Sequence, residues 1–192
     1  METDDKKYAE LKEIGRCAYE SIAEMVAALE CDYERLAELR EERADLVTAL
    51  TDVEAEFTDG TAERESVNEA QDALTQWDAD NGEELSDLIK AAGDCESTDD
   101  ATQRIQEDAL SVEVRSDWYC PSGDYGDTTP TEYKILLSTG GPATRIIGDL
   151  DRGQPTRARL QVQDWFTPWT DYIEPDTGST LLTYAQQFYF GE

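Results

Sequence analysis

Apolar residues recur on a 4-3 spacing through the N-terminal part of this chain: Tyr8, Leu11, Ala18, Ile22, Met25, Leu29, Leu36, Leu39, Leu46, Leu50, Val53 and Phe57. Such a heptad places one apolar stripe along an α-helix, and the stripe must be buried against another apolar surface. Gly15, Asp32 and Arg43 fall at stripe positions. A kink or a split into two helices is therefore open, with Cys31 and Asp32 the favoured place. The run Thr58-Asp59-Gly60-Thr61 supplies turn chemistry, and Thr61 can cap a second helix. Val67, Ala70, Leu74 and Trp77 carry the stripe onward, and Leu85, Leu88 and Ile89 resume it after a helix break expected near Asn81-Gly82. A short connection between two amphipathic helices makes them neighbours, so the expectation is an antiparallel, coiled-coil-like hairpin over residues 1–95. The same seam leaves a homodimer open.

Gly93 and Asp94 stop the second helix, and Ser97 or Thr98 caps a short third one through about Glu107. After Ala109 the period changes from helical to alternating. Residues 110–118, 131–139, 143–150 and 156–165 are rich in Val, Ile, Thr and Tyr and read as strands, with turn signals at 140–142 and 152–155. Leu181, Tyr184, Ala185 and Phe188 then lie at helical spacing. The fold class expected is α+β: the helical hairpin, then over residues 96–192 a small antiparallel sheet of about four strands covered on its apolar face by a C-terminal helix. The loop 119–130 is expected to be flexible or ordered by a partner.

Charge narrows the function. Forty-five acids oppose 16 bases, a net charge of -29, far more than solubility requires. Nucleic acid and anionic membranes would both repel such a chain, so its partner should be basic. No run approaches the ~18 apolar residues of a membrane helix, and METDDKKYAELKE has no signal-peptide core, so the expected location is a cytoplasm. Cys17, Cys31, Cys95 and Cys120 are widely spaced and read as reduced thiols.

No histidine is present, which removes the commonest general base and metal ligand and every Ser-His or Cys-His pair. Neither a P-loop nor GxGxxG occurs. The stretch Asp78–Glu84 has its glycine one position early for a calcium loop. These patterns point away from an enzyme, a cofactor or a specific metal.

The informative pattern is an acid ladder. Glu20 and Glu24 are four apart, as are Glu30 and Glu34, then Glu34, Glu38 and Glu42, with Glu41 and Asp45 beside them and Asp52 and Glu56 beyond. Like charges at this spacing destabilise a helix by roughly 0.2–0.5 kcal/mol per pair, and a merely solvated helix would alternate signs. A rod carrying carboxylates about 6 Å apart approaches the charge density of a phosphate backbone and could occupy a channel lined by Lys and Arg. A solvated face is the plain alternative. A second candidate surface is aromatic: in Trp165-Phe166-Thr167-Pro168-Trp169 not every ring can face inward, which makes Phe166 and Trp169 candidate anchors for a partner beside core aromatics.

The segments ARLQVQDWFTPWTDY, LLTYAQQFYFGE and IQEDALSVEVRSDW, with AEMVAALECDYERLAELREERADL, resemble small acidic proteins of bacteriophages, prophages and mobile elements. In role the whole looks like anti-CRISPR and antirestriction inhibitors, several of which imitate DNA. That resemblance implies a bacterial host cytoplasm and a basic nucleic-acid-binding host complex as partner, a CRISPR effector first and a restriction enzyme second. It carries over no functional residue. The alternative class is a coiled-coil adaptor or structural protein whose acids serve only solubility; a salt-adapted protein is a third, suggested by 5 Lys among the 16 bases.

Overall fold

Where the apolar stripe would have carried Asp32 inward, the helix ends, because a carboxylate at a buried stripe position has no counter-charge to meet. The computed structural model describes residues 2–116, 129–175 and 177–191. The expected strand 110–118 is described only to residue 116. Most of the loop 119–130, Cys120 included, lies outside the described residues. The first helix, α1, spans Glu2–Leu29, and α2 spans Tyr33–Thr58. Asp32 is the N-cap of α2, its side chain accepting from the Arg35 backbone N–H at 2.9 Å. The split expected beside Cys31 is thus present, made by a cap of the kind worth about 1 kcal/mol.

The chain divides into two units: Met1–Leu29 with Asp99–Glu192, and Glu30–Thr98. The first holds α1, α4 (Thr98–Asp108, its N-terminal residue excepted), a sheet and the C-terminal helix α5 (Thr177–Ala185). The second is the hairpin of α2 and α3 (Arg64–Ala92). This division differs from the boundary expected near residue 95, because α1 belongs with the sheet rather than with the hairpin. Its stripe residues Ile22 and Met25, with Val26 beside them, join Ile135, Ile146, Leu160, Leu181 and Tyr184 in one buried cluster.

The sheet is antiparallel, of order β1-β2-β3-β5-β6: β1 Ser111–Arg115, β2 Glu132–Ser138, β3 Ala143–Asp151, β5 Arg159–Gln163 and β6 Thr170–Asp171. The two-residue β4, Gln154–Pro155, pairs back onto the end of β3. Between them Arg152 and Gly153 take positive φ, so the expected turn is tighter than the segment 152–155 and its second half is strand. Inward residues Tyr133, Ile135, Ile146, Leu160 and Val162 alternate with outward Lys134, Arg145, Ile147, Arg159 and Gln161, so one face is apolar and one polar. Helix α5 covers the apolar face as expected, with α1 beside it. Gly15 is what lets α1 approach: a Cβ there would lie 2.3 Å from Tyr172 Cδ2, so the ring of Tyr172 occupies the space a larger residue would need.

In the hairpin, Leu36, Leu39, Leu85 and Ala92 are buried, with Cys31, Tyr33, Trp77 and Leu88 packed against them. Arg35 pairs with Glu84 and Arg43 with Asp78, so rising numbers on α2 meet falling numbers on α3 and the helices are antiparallel. Two local expectations are corrected. No break occurs near Asn81-Gly82: α3 is continuous, and the Asn81 side chain donates to Trp77 O at 3.2 Å, a back-bond that keeps a turn-prone residue in the helix. Thr61 does not cap α3. Its hydroxyl donates to Glu56 O at the C-terminal end of α2, while the N-cap of α3 is Glu63, without a side-chain cap bond.

Candidate functional site

At 100° per residue, Glu34, Glu38, Glu41, Glu42, Asp45, Asp52 and Glu56 fall within about 100° of arc on α2. All are exposed. The seam residues Leu36, Leu39, Leu46, Leu50 and Val53 lie on a different side and set which flank the acids occupy. Helix α3 carries a second row that sequence reading missed: Glu65, Glu69, Asp72, Asp80, Glu83 and Asp87, within about 80° of arc and likewise exposed. Its signal was available as the same 4-3 spacing, applied to acids rather than to apolar residues.

The contacts between the helices place the two rows on one side of the hairpin. Arg35 and Glu42 stand on the flank of the α2 seam nearer its row, and Glu84 and Trp77 on the corresponding flank of α3. These residues touch: Arg35 Nε donates to Glu84 Oε1 at 3.0 Å, and Trp77 Nε1 donates to Glu42 Oε2 at 3.1 Å. The opposite flank is closed by Arg43, whose Nε donates to Asp78 Oδ1 at 2.8 Å.

Little cancels the charge within the unit. Residues Glu30–Thr98 hold 22 acids against 5 bases, net −17. Among the described residues, Arg35 is the one base of the five that pairs with a row member, Glu38, at 3.3 Å. Hydrogen bonding from Arg35 holds the Glu84 carboxyl below the usual carboxylate value, and Arg43 is bound to Asp78. Arg64 lies over the Phe57 ring, 5.3 Å from its centroid. Glu34, Glu41, Asp45, Asp52 and Glu56 have no ion pair or side-chain hydrogen bond with any described residue. Carboxylates repeated about 6 Å apart on two helices whose axes lie about 8–10 Å apart sum into a negative field that a cation-lined cleft would feel before contact.

The remaining candidates do not all join this surface. Glu30 is exposed in the turn before α2. Glu20 and Glu24 stand on α1, in the other unit, so the ladder read along one long helix is divided. Glu24 is exposed, while Glu20 is bound to Arg16, which also donates to Glu13. The aromatic candidates separate from each other. Phe166 is 99% exposed at φ 64, a backbone region that non-glycine residues seldom adopt. Trp169 is half-buried beneath the Arg145 guanidinium, 4.1 Å from its ring centroid. Tyr184 and Phe190 are core, Phe188 and Tyr172 pack against it, and Trp165 and Tyr189 are exposed.

Among the described residues no group of three or more Cys, Asp or Glu is placed to hold a metal ion, and no helix is long and apolar enough to cross a membrane. Cys17, Cys31 and Cys95 are free thiols. No protein family model, no curated protein and no solved structure matches this chain.

Proposed function

We infer that this protein inhibits a nucleic-acid-targeting host defence complex by presenting the acidic side of its hairpin to the basic channel that normally receives DNA or RNA. The observation that carries this reading is the pair of acid rows on one side of a two-helix rod, with one base among five touching either row. A face meant only for solvation gains nothing from stacking like charges at a spacing that costs helix stability. A channel of Lys and Arg gains charge-assisted hydrogen bonds from carboxylates as it does from phosphates. Its association should be fast at low salt and fall steeply as salt rises. A CRISPR effector is the first target and a restriction enzyme the second, within a bacterial host cell infected by the phage that supplies the inhibitor. Phe166, held out from the other unit, supplies an apolar anchor of the kind that dominates binding hot spots.

The test is competition. Purified protein is titrated against labelled DNA bound to each candidate defence nuclease at low salt, alongside the variant Glu34→Lys, Glu41→Lys, Asp45→Lys. Displacement by the wild type and none by the variant is the expected result. Failure of the wild type to displace nucleic acid from any of them, or equal displacement by the variant, would end this reading.

A second reading has one observation in its favour. Leu46, Leu50 and Val53 on α2, with Val67 and Leu74 on α3, are only half-buried, and Phe57 is exposed, so the seam toward the hairpin tip remains open to another helix. A coiled-coil adaptor would use that seam and would keep its partner through the same charge reversals.

A further inference from the structure

In a chain where carboxylates outnumber bases almost three to one, a partly buried base ordinarily finds an acid. Four bases are half-buried: Arg35, Arg43, Lys134 and Arg145. Arg35 pairs with Glu84, Arg43 with Asp78 and Lys134 with Glu113. Arg145 has no carboxylate partner among the described residues. Its Nε donates to Gln161 Oε1 at 2.9 Å and its guanidinium lies over Trp169. Neither contact uses the outer edge of the guanidinium, where the two Nη groups present a planar fork of donors. Burial alone pulls its pKa down, with no acid acting to raise it.

Arg145 lines a cavity of about 570 Å3 on the outer face of the sheet. Lys134, Ile147 and Arg159 line it as cross-strand neighbours on β2, β3 and β5, with Arg115 toward the β1 edge and the carboxylates of Glu113, Glu132 and Asp149 on its rim. Lys134, Arg115 and Arg159 are paired with Glu113, Glu132 and Asp171, which offsets their charge and leaves Arg145 as the lining base without a carboxylate partner among the described residues. The volume is that of a small-molecule site rather than of a bare ion. Ile147, outward on β3, offers apolar contact for the body of such a molecule. A guanidinium stacked on an aromatic ring has already lost most of its rotamer freedom, so less is lost when it closes on a planar oxyanion.

We propose that the outer face of the sheet is a binding site for a small organic anion, its carboxylate or phosphate received by the Arg145 fork and its body seated against Ile147. This site is separate from the acidic hairpin, and its fate is independent of the inhibitor reading. The test uses isotope-labelled full-length protein titrated with phenyl phosphate, with benzoate, and with phenol as the same ring without the anion, followed by amide and arginine Nε–H shifts. The expected result is saturation by at least one of the two anions but not by phenol. Shifts should centre on Lys134, Arg145, Ile147 and Arg159, and whichever anion saturates names the group recognised. Arg145→Lys keeps the charge but not the fork and should weaken binding about tenfold or more. Arg152→Lys, at an exposed turn arginine away from the cavity, should bind as the wild type does. Saturation by neither anion, equal binding of phenol, shifts mapping away from this face, or undiminished binding by Arg145→Lys each overturns the proposal.

Discussion

Raising salt should stabilise the hairpin, against the usual expectation for a structure whose helices are joined by ion pairs. The i,i+4 acid pairs Glu34/Glu38, Glu38/Glu42, Glu41/Asp45 and Asp52/Glu56 on α2, with Glu65/Glu69 and Glu83/Asp87 on α3, are exposed. At roughly 0.2–0.5 kcal/mol each they cost the folded unit about 1.2–3 kcal/mol at low ionic strength. Between about 0.01 M and about 1 M salt the screening length falls from about 30 Å to about 3 Å, below the spacing within a row. The bonds of Arg35 and Arg43 across the helices weaken over the same range, which offsets part of the gain. A net stabilisation of about 1–2 kcal/mol remains, or about 4–16 °C in Tm for a unit of this size. Thermal melts in sodium chloride, followed by far-ultraviolet circular dichroism, measure it directly; sulfate is avoided because it strengthens apolar burial in its own right. A Tm that stays level or falls across this range would mean that the rows are neutralised within the molecule, and the argument from unopposed charge would fail with it.

Three further outcomes follow from the packing. Leu39→Ala removes a side chain with no solvent exposure from the small hairpin core and should cost about 2–5 kcal/mol, seen as early loss of helical signal in urea. Gly15→Ala, at a helix position where alanine usually gains about 1 kcal/mol, should instead destabilise by about 1–3 kcal/mol, because the new methyl meets the Tyr172 ring; a more stable variant would refute the close approach. Burial raises the pKa of Tyr133, and that of Tyr184 is raised first by burial and then by its 2.6 Å hydrogen bond to Asp108. Both phenols stay protonated in the folded state while unfolded tyrosine ionises near pH 10, so their contribution is complete below pH 10 and lost above it, at about 1.4 kcal/mol per pH unit for each. Urea unfolding at pH 9 and at about pH 11 reads this loss, and equal stability at both would contradict it.

The heptad told where the helices are and not what they meet. Asp32 announced the end of α1 because a charge at a stripe position has to leave the core, and the structure makes it a cap. Nothing in the stripe of Leu11, Ile22 and Met25 distinguishes a partner helix from the apolar side of a sheet, since both accept the same side chains; α1 lies with the sheet. The alternating strands were legible from Val, Ile and Tyr at period two. The two-residue β4 and β6 were not, because so short a pairing depends on its neighbours and leaves no period. Asn81-Gly82 read as a break on local propensity, which the packing of Trp77 and Leu85 on either side overrides. The acid row on α2 was visible residue by residue. Its extension to α3, and the placement of both rows on one side, required the contacts of Arg35 and Trp77.

Because the hairpin interrupts the sheet unit between Leu29 and Asp99, it is an insertion, and its two ends lie close together: Cys31 Sγ donates to Leu88 O near the root. The side-chain bonds across the hairpin span 35 to 57 residues, whereas α1 must wait for strands and a helix made more than a hundred residues later. The shorter loops close at lower entropic cost, and once the hairpin has closed, the chain between α1 and α4 is no longer a long flexible loop, which lowers the entropy lost in bringing them together. The charged element is therefore a cassette: both rows lie at exposed positions of helices that begin and end within the one inserted segment.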